Sequence, residues 1–314
     1  MLALLMTLGC SQECSVQKRV CESPQKKRLR FLFITPAMNE AFFNPVKKGM
    51  HDAAAMLDVD CVFTGTEDVD VTKQARLVQE ALDRGYDGIA LSIIDPAAFD
   101  QAVQDAAARG VPLVAFNVDD HATPNARLSA VCQNLYQAGQ SLGRRVADEI
   151  PPSSRILVTM HSDGISALED RRRGIQEALA GRPMNWKTLV TGTDPRVAAD
   201  RIVKALRDDT DIKAVLCTGQ ADTEGAGLAV ERLGGKGYLV AGFDLSPEIL
   251  RLVQSGIILV TLDQQPYVQG FYPVVQLTLR CRYGIMPSNM DAGAAPITRE
   301  NAAAVLRLCK EGFR

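Results

Sequence analysis

The chain has 314 residues, too long for one compact core of ordinary size, so two domains are the natural expectation. Hydrophobic residues make up 46%, charged residues 23%, and the net charge is −2, the composition of an ordinary globular protein. No basic excess points to nucleic acid, no apolar run beyond residue 10 has transmembrane length, and three histidines with no CxxC pair give no metal-ligand pattern.

Residues 1–9 are apolar and end at Gly9-Cys10, followed by a polar stretch with six Lys or Arg and two Glu over 11–30. An apolar run closing on Gly-Cys resembles the end of a bacterial lipoprotein signal, with Cys10 the lipidated residue. The run lacks a basic start and carries Thr7 three residues before the cysteine, so it reads as a shortened signal, with 1–28 as signal remnant and tether. Of the other cysteines, Cys61 and Cys217 lie in apolar strand-like runs and read as buried thiols.

From Leu29 onward short β-rich runs alternate with helical stretches. The runs Leu29–Thr35, Cys61–Thr64, Gly88–Ser92, Pro112–Asn117 and Leu128–Val131 are separated by helical spacing over 44–57, 71–84 and 96–109. After a helix at 134–149 the alternation resumes, with strands at 156–161, 187–191, 214–218, 238–243 and 257–263. The helices between them cover 166–180, 195–207, 222–233 and 247–254, and a last one covers 266–282. Apolar strands alternating with helices predict parallel sheets covered on both faces. The run is too long for one sheet, and Pro151-Pro152 lies near its middle.

Asp95-Pro96, Asp194-Pro195 and Ser246-Pro247 each read as a capping side chain before a first-turn proline, just past a strand's C-terminal end. In open α/β sheets ligands bind in the crevice outside those ends.

Four landmarks carry a resemblance: Ala41-Phe42-Phe43, Gly110-Val111-Pro112-Leu113-Val114, Val240-Ala241-Gly242-Phe243-Asp244 and Asp263-Gln264-Gln265-Pro266. In this order they resemble the periplasmic sugar-binding proteins of ABC importers, of the ribose- and galactose-binding type. The resemblance implies an α/β fold of two doubly wound parallel-sheet lobes joined by a three-crossing hinge, the type I periplasmic binding protein. It implies crossings near Ala130, Gln264 and Asp291, a first lobe of 29–130 plus 265–290 and a second of 131–264 plus 291–314. It also implies a monomer that captures a sugar or polyol, closes on it and docks on a membrane permease, with no cofactor and a lipid anchor as its only membrane contact.

On the resemblance, Phe42 and Phe43 stack on a sugar ring, Asp244 accepts hydroxyl hydrogens and Gln264 sits at the hinge. Strand-end position adds Ser92, Asn117, Asp119, His161 and Gln220 as candidate ligand contacts, and the alignment that the resemblance implies adds Glu40, Glu169 and Arg171. Asn117-Val118 stands where ribose binders carry Asp-Arg, Glu40 where they carry Asn, and Glu169 where they carry Arg. These departures imply a more acidic pocket, suited to a neutral polyol or cyclitol or to a ligand with a positive group, and not ribose itself.

No GxSxG, HExxH or GxGxxG motif supports an enzyme. A LacI-type regulator shares this fold but needs an N-terminal helix-turn-helix of roughly 50–60 residues. Only about 28 precede the first strand. Among binding proteins the alternative ligand class is a nucleoside or riboflavin, held by aromatic stacking.

Overall fold

The computed structural model describes residues 28–95, 97–119 and 125–314. The signal, the tether and the lipidation residue Cys10 lie outside the described residues.

Two six-stranded sheets form the two lobes. In the first, β1 (Arg30–Thr35), β2 (Asp60–Gly65), β3 (Gly88–Leu91), β4 (Leu113–Asn117) and β5 (Ala130–Cys132) run parallel, with the late β11 (Met290–Asp291) parallel to β5. The order is β11-β5-β4-β3-β1-β2. In the second, β6 (Arg155–Met160), β7 (Asn185–Val190), β8 (Ile212–Cys217), β9 (Leu239–Phe243) and β10 (Val260–Asp263) run parallel, and β12 (Ala295–Ile297) closes the edge antiparallel to β10. The order is β12-β10-β9-β8-β6-β7. The same order of parallel strands recurs in both lobes, so β4 corresponds to β9 and β5 to β10.

The central strands are near-continuous apolar runs because helices cover both faces, while the edge strands β2 and β7 are partly exposed. In the first lobe these are α1 (Phe43–Leu57), α2 (Val71–Asp83), α3 (Asp100–Ala108) and α9 (Pro266–Tyr283). In the second they are α4 (Leu135–Val146), α5 (Ser166–Ala178), α6 (Pro195–Asp208), α7 (Gln220–Arg232), α8 (Pro247–Ser255) and α10 (Ala302–Lys310). Each lobe carries two buried clusters, one on either face of its sheet.

Helix starts follow the expected chemistry in two of three cases. Asp194 accepts from the backbone N–H groups of Arg196 and Val197, and Ser246 from that of Ile249. Asp95 instead caps a turn through Ala97 and Ala98, and the helix expected over 96–109 begins only at Asp100. Helix α10 and strands β11 and β12 were not foreseen. The strands are too short to show a period, and α10 follows a segment rich in Gly, Ala and Pro.

The chain crosses between sheets at 133–134, 264–265 and 292–294. The first crossing lies some three residues later than Ala130, because β5 still pairs with β4 in the first sheet. Asp291 Oδ1 accepts from the backbone N–H groups of Asn134 and Gly293, clamping the first crossing to the third. Gln265 Nε2 donates to the carbonyl of Ala292, binding the second to the third.

Helices α4 and α5 cross at glycines. A Cβ on Gly139 would lie 2.2 Å from the carbonyl oxygen of Arg171, and one on Gly174 2.1 Å from that of Tyr136. This close approach sets the depth at which Arg171 enters the second lobe. Replacing Gly174 by Ala is therefore expected to lower unfolding free energy by about 1–3 kcal/mol, read as a lower urea midpoint at unchanged slope. An unaltered midpoint would show that the two helices can part without cost.

Candidate functional site

A cavity of about 370 Å³ opens between the lobes, near the small end of the roughly 300–1,000 Å³ typical of small-molecule sites. Its walls come from the C-terminal ends of strands in both sheets: Glu40 and Phe42 after β1, Asn117 at the end of β4, His161 after β6, Gln220 after β8, Asp244 after β9 and Gln264 after β10. The backbone there is unusual. Ala37, Asn117, Asp244 and Gln265 all have positive φ, at 47°, 65°, 67° and 53°. Non-glycine residues held there store strain that the surrounding structure must sustain, and such residues gather at ligand sites.

Arg171 is the centre of the site. It reaches in from α5 and is 2% exposed. Its Nε and Nη2 donate to Gln133 Oε1 at 3.1 and 2.7 Å, and its Nη1 donates to the carbonyl of Thr218 at 2.8 Å and to Asp244 Oδ2 at 3.4 Å. The guanidinium lies 4.2 Å from the centroid of the Phe243 ring, within cation–π range. Asp244, 5% exposed, also accepts from Gln264 Nε2 at 2.6 Å, and Gln264 is held by Gln269. Gln133 Nε2 donates to the carbonyl of Gly293. One buried network thus links the cavity wall to all three crossings.

Around this centre the residues differ in role. Phe42, half-buried, offers its ring to the cavity; Phe43 meets it edge-on at 5.1 Å and is mostly core, tilted against Phe63. His161 packs against Gly219, where a Cβ would come within 2.7 Å of its ring, and Nδ1 lies 3.1 Å from Ser162 Oγ. Burial is the main force pushing the His161 pKa down, and the charge of Arg171 adds to it, while Asp244 acts in the opposite sense. Glu224 accepts from Ser246 Oγ at 2.5 Å. Below the cavity floor Asp222 is fully buried and accepts from Thr159 Oγ1 and the backbone N–H of Thr218. Its burial pushes its carboxyl up to about 7.

Of the candidate contacts, Glu40, Phe42, Phe43, Asn117, His161, Arg171, Gln220, Asp244 and Gln264 line the cavity. Three do not. Ser92 is buried behind the wall and donates to Asn117 Oδ1, so it orients Asn117. Asp119 pairs with Arg127, away from the cleft. Glu169 lies on the flank of α5 and pairs with Arg172; a helix turns by about 100° per residue, so Glu169 and Arg171 cannot share a face.

Sequence reading missed Gln133, which supports the centre, and Glu224, which lines the wall. Both had a signal. Cys132-Gln133-Asn134 follows β5 as Asp263-Gln264-Gln265 follows its counterpart β10, and Glu224 lies four residues after Gln220 on one helix face.

Residues 31–280 match the periplasmic binding protein domain. The chain belongs to the periplasmic binding protein family. Its members work outside the cytoplasm, and no described helix is long and apolar enough to cross a membrane. The chain is 31% identical over 296 residues to a xylose/arabinose-binding protein of Sulfolobus acidocaldarius, covering 88% of this chain and 73% of that one. It is 24% identical over 270 residues to a ribose import binding protein of Bacillus subtilis, covering 86% and 87%. A carbohydrate transporter structure from Acidothermus cellulolyticus 11B, in complex with myo-inositol, superposes with a TM-score of 0.81 at 28% identity, covering 91% of this chain and all of that one. These relatives are solute-binding proteins and not enzymes.

Breaking a buried ion pair from one side costs about 3–5 kcal/mol, because a charge is left without its partner. Arg171→Leu is expected to lose that much unfolding free energy, and Asp244→Asn is expected to lose stability too. The double variant should be less damaged than the sum of the two by about 0.5–3 kcal/mol in urea denaturation. Strict additivity would show that the two side chains do not act as a pair.

Proposed function

We propose that this protein is the ligand-capture component of an ABC importer for a monosaccharide or cyclitol, working as a monomer tethered through lipid on Cys10 outside the cytoplasm. The observation that carries the reading is the cavity itself, walled by strand ends of both lobes and lined by the buried Arg171–Asp244–Gln264 set. The names of the relatives, which speak of xylose, arabinose, ribose and myo-inositol, support a small polyhydroxy ligand.

The chemistry suits such a ligand. The Phe42 ring packs on C–H faces, and hydroxyls meet Asp244, Asn117, Gln220 and His161 from fixed directions. Asp244 has acceptor capacity beyond its bonds to Gln264 and Arg171. Glu40, Phe42 and Asn117 belong to the first lobe, and His161, Gln220 and Asp244 to the second. A ligand touching both sets binds the closed form better and shifts the population toward it. One cross-cleft contact already exists in the protein, from Ser166 Oγ to the carbonyl of Ile94 at 3.0 Å. The closed form then docks on a permease, which reopens it and takes the ligand.

Titration calorimetry with xylose, arabinose, ribose and myo-inositol should give micromolar or tighter binding for at least one, about −8 kcal/mol. Phe42→Ala is expected to weaken it about tenfold, and Asp244→Ala by about a hundredfold, with folding followed by circular dichroism. Tight binding of a nucleoside or riboflavin with no response to any sugar or cyclitol would overturn the reading.

A further inference from the structure

The ionisable side chains around the cleft do not balance. Glu40, Glu224 and Asp244 line the cavity, and Arg171 is the one Lys or Arg among the described residues that line it. Arg171 is already committed, with its donors on Gln133, Thr218 and Asp244, so its charge serves Asp244. Lys47 lies one turn beyond Phe43 but turns away, donating to the carbonyl of Met38 and lying over the Phe63 ring. Burial also pushes the His161 pKa below the ordinary histidine value, which disfavours a charge there.

Two carboxylates therefore remain in excess. Glu224 has one neutral donor, the hydroxyl of Ser246. Glu40 stands at the cleft surface on the first lobe, facing the charge of Asp244 on the second. Both carboxyls are held above their usual range, first by the loss of water around them in the cleft; Asp244 adds to this for Glu40, and Glu248 and Asp194 for Glu224. Closing the cleft on a neutral ligand leaves Glu40 facing the carboxylate of Asp244 with no cation of its own, since Arg171 is already committed to Asp244. A ligand that carries a cation reverses the sign of that interaction.

We propose that the cavity selects a sugar or cyclitol bearing a primary amine, with its ammonium seated between Glu40 of the first lobe and Asp244 of the second. This rests on the sugar-capture reading above and narrows its ligand class. An ammonium has three donors and no acceptor, matching two acceptor-only carboxylates. Charge-assisted bonds are roughly twice as strong as neutral ones, and the closed cleft screens them less than water does. The same surplus rejects phosphorylated or carboxylated sugars.

The test is calorimetry with matched pairs that differ by one group: glucose and glucosamine, galactose and galactosamine, xylose and 2-amino-2-deoxyxylose, scyllo-inositol and scyllo-inosamine. In the skeleton that binds best, the amine should bind about tenfold or more tightly than its hydroxyl parent. In Glu40→Gln that ratio should fall below about threefold, a change at an exposed position that leaves the core untouched. Hydroxyl parents binding as well as their amines would overturn the amine preference and leave sugar capture standing. An amine preference that survives Glu40→Gln would overturn the seat at Glu40. Silence from every pair would overturn this inference; the sugar reading falls with it only if arabinose, ribose and myo-inositol are silent too.

Discussion

A guanidinium buried to 2% exposure needs hydrogen-bond partners, and all three nitrogens of Arg171 find them in groups from three different parts of the chain. Taking such a charge out of water costs several kcal/mol, and only good geometry with a counter-charge offsets it. That requirement dictates much of the second lobe. Gly139 and Gly174 let α4 and α5 approach closely enough to place Arg171 at depth, Phe243 presents its ring face, and Asp244 accepts a left-handed backbone to bring its carboxylate into range. Gln133 and Gln264, each the residue after the fifth strand of its lobe, then connect the ion pair to the crossings. The ligand site and the hinge are one polar structure.

Repetition between the lobes explains why the site has two unlike halves. Asn117 and Asp244 end corresponding strands, Leu-Val-Ala-Phe-Asn in β4 and Leu-Val-Ala-Gly-Phe before Asp244 in β9, and both have φ near +66°. In the first lobe the polar side chain is a neutral amide oriented by Ser92; in the second it is a carboxylate paired with arginine. One backbone device thus presents two kinds of hydrogen-bonding group to the cavity from its two lobes.

The fold was legible because its signals are local. Apolar strand runs, helical spacing and the caps at Asp194 and Ser246 can each be read within a dozen residues. Asn117, His161, Gln220, Asp244 and Gln264 fell on the cavity for the same reason, since strand ends mark the crevice. The misses were of another kind. Glu169 and Arg171 differ by two residues, and only the helix phase set by α4 decides which turns inward. Asp119 was drawn away by Arg127, a partner on the same loop whose geometry no pattern announces. Gln133 was marked only by its place after β5, matching Gln264 after β10; its role depends on an arginine 38 residues later in sequence. Helix α10 escaped because its packing against α8 comes from tertiary structure and not from a strong local pattern.

If the Arg171 network joins pocket to hinge, disturbing it at a residue that does not line the cavity must be felt by the ligand. Gln133 is that residue: it holds Arg171 on one side and the third crossing, through Gly293, on the other. The direct measurement is the affinity of Gln133→Ala for whichever sugar or cyclitol the wild type binds best, taken with the small-angle scattering change on saturation. The account predicts about tenfold weaker binding and a smaller compaction than in the wild type. Unchanged affinity and full compaction in a folded Gln133→Ala variant would contradict it.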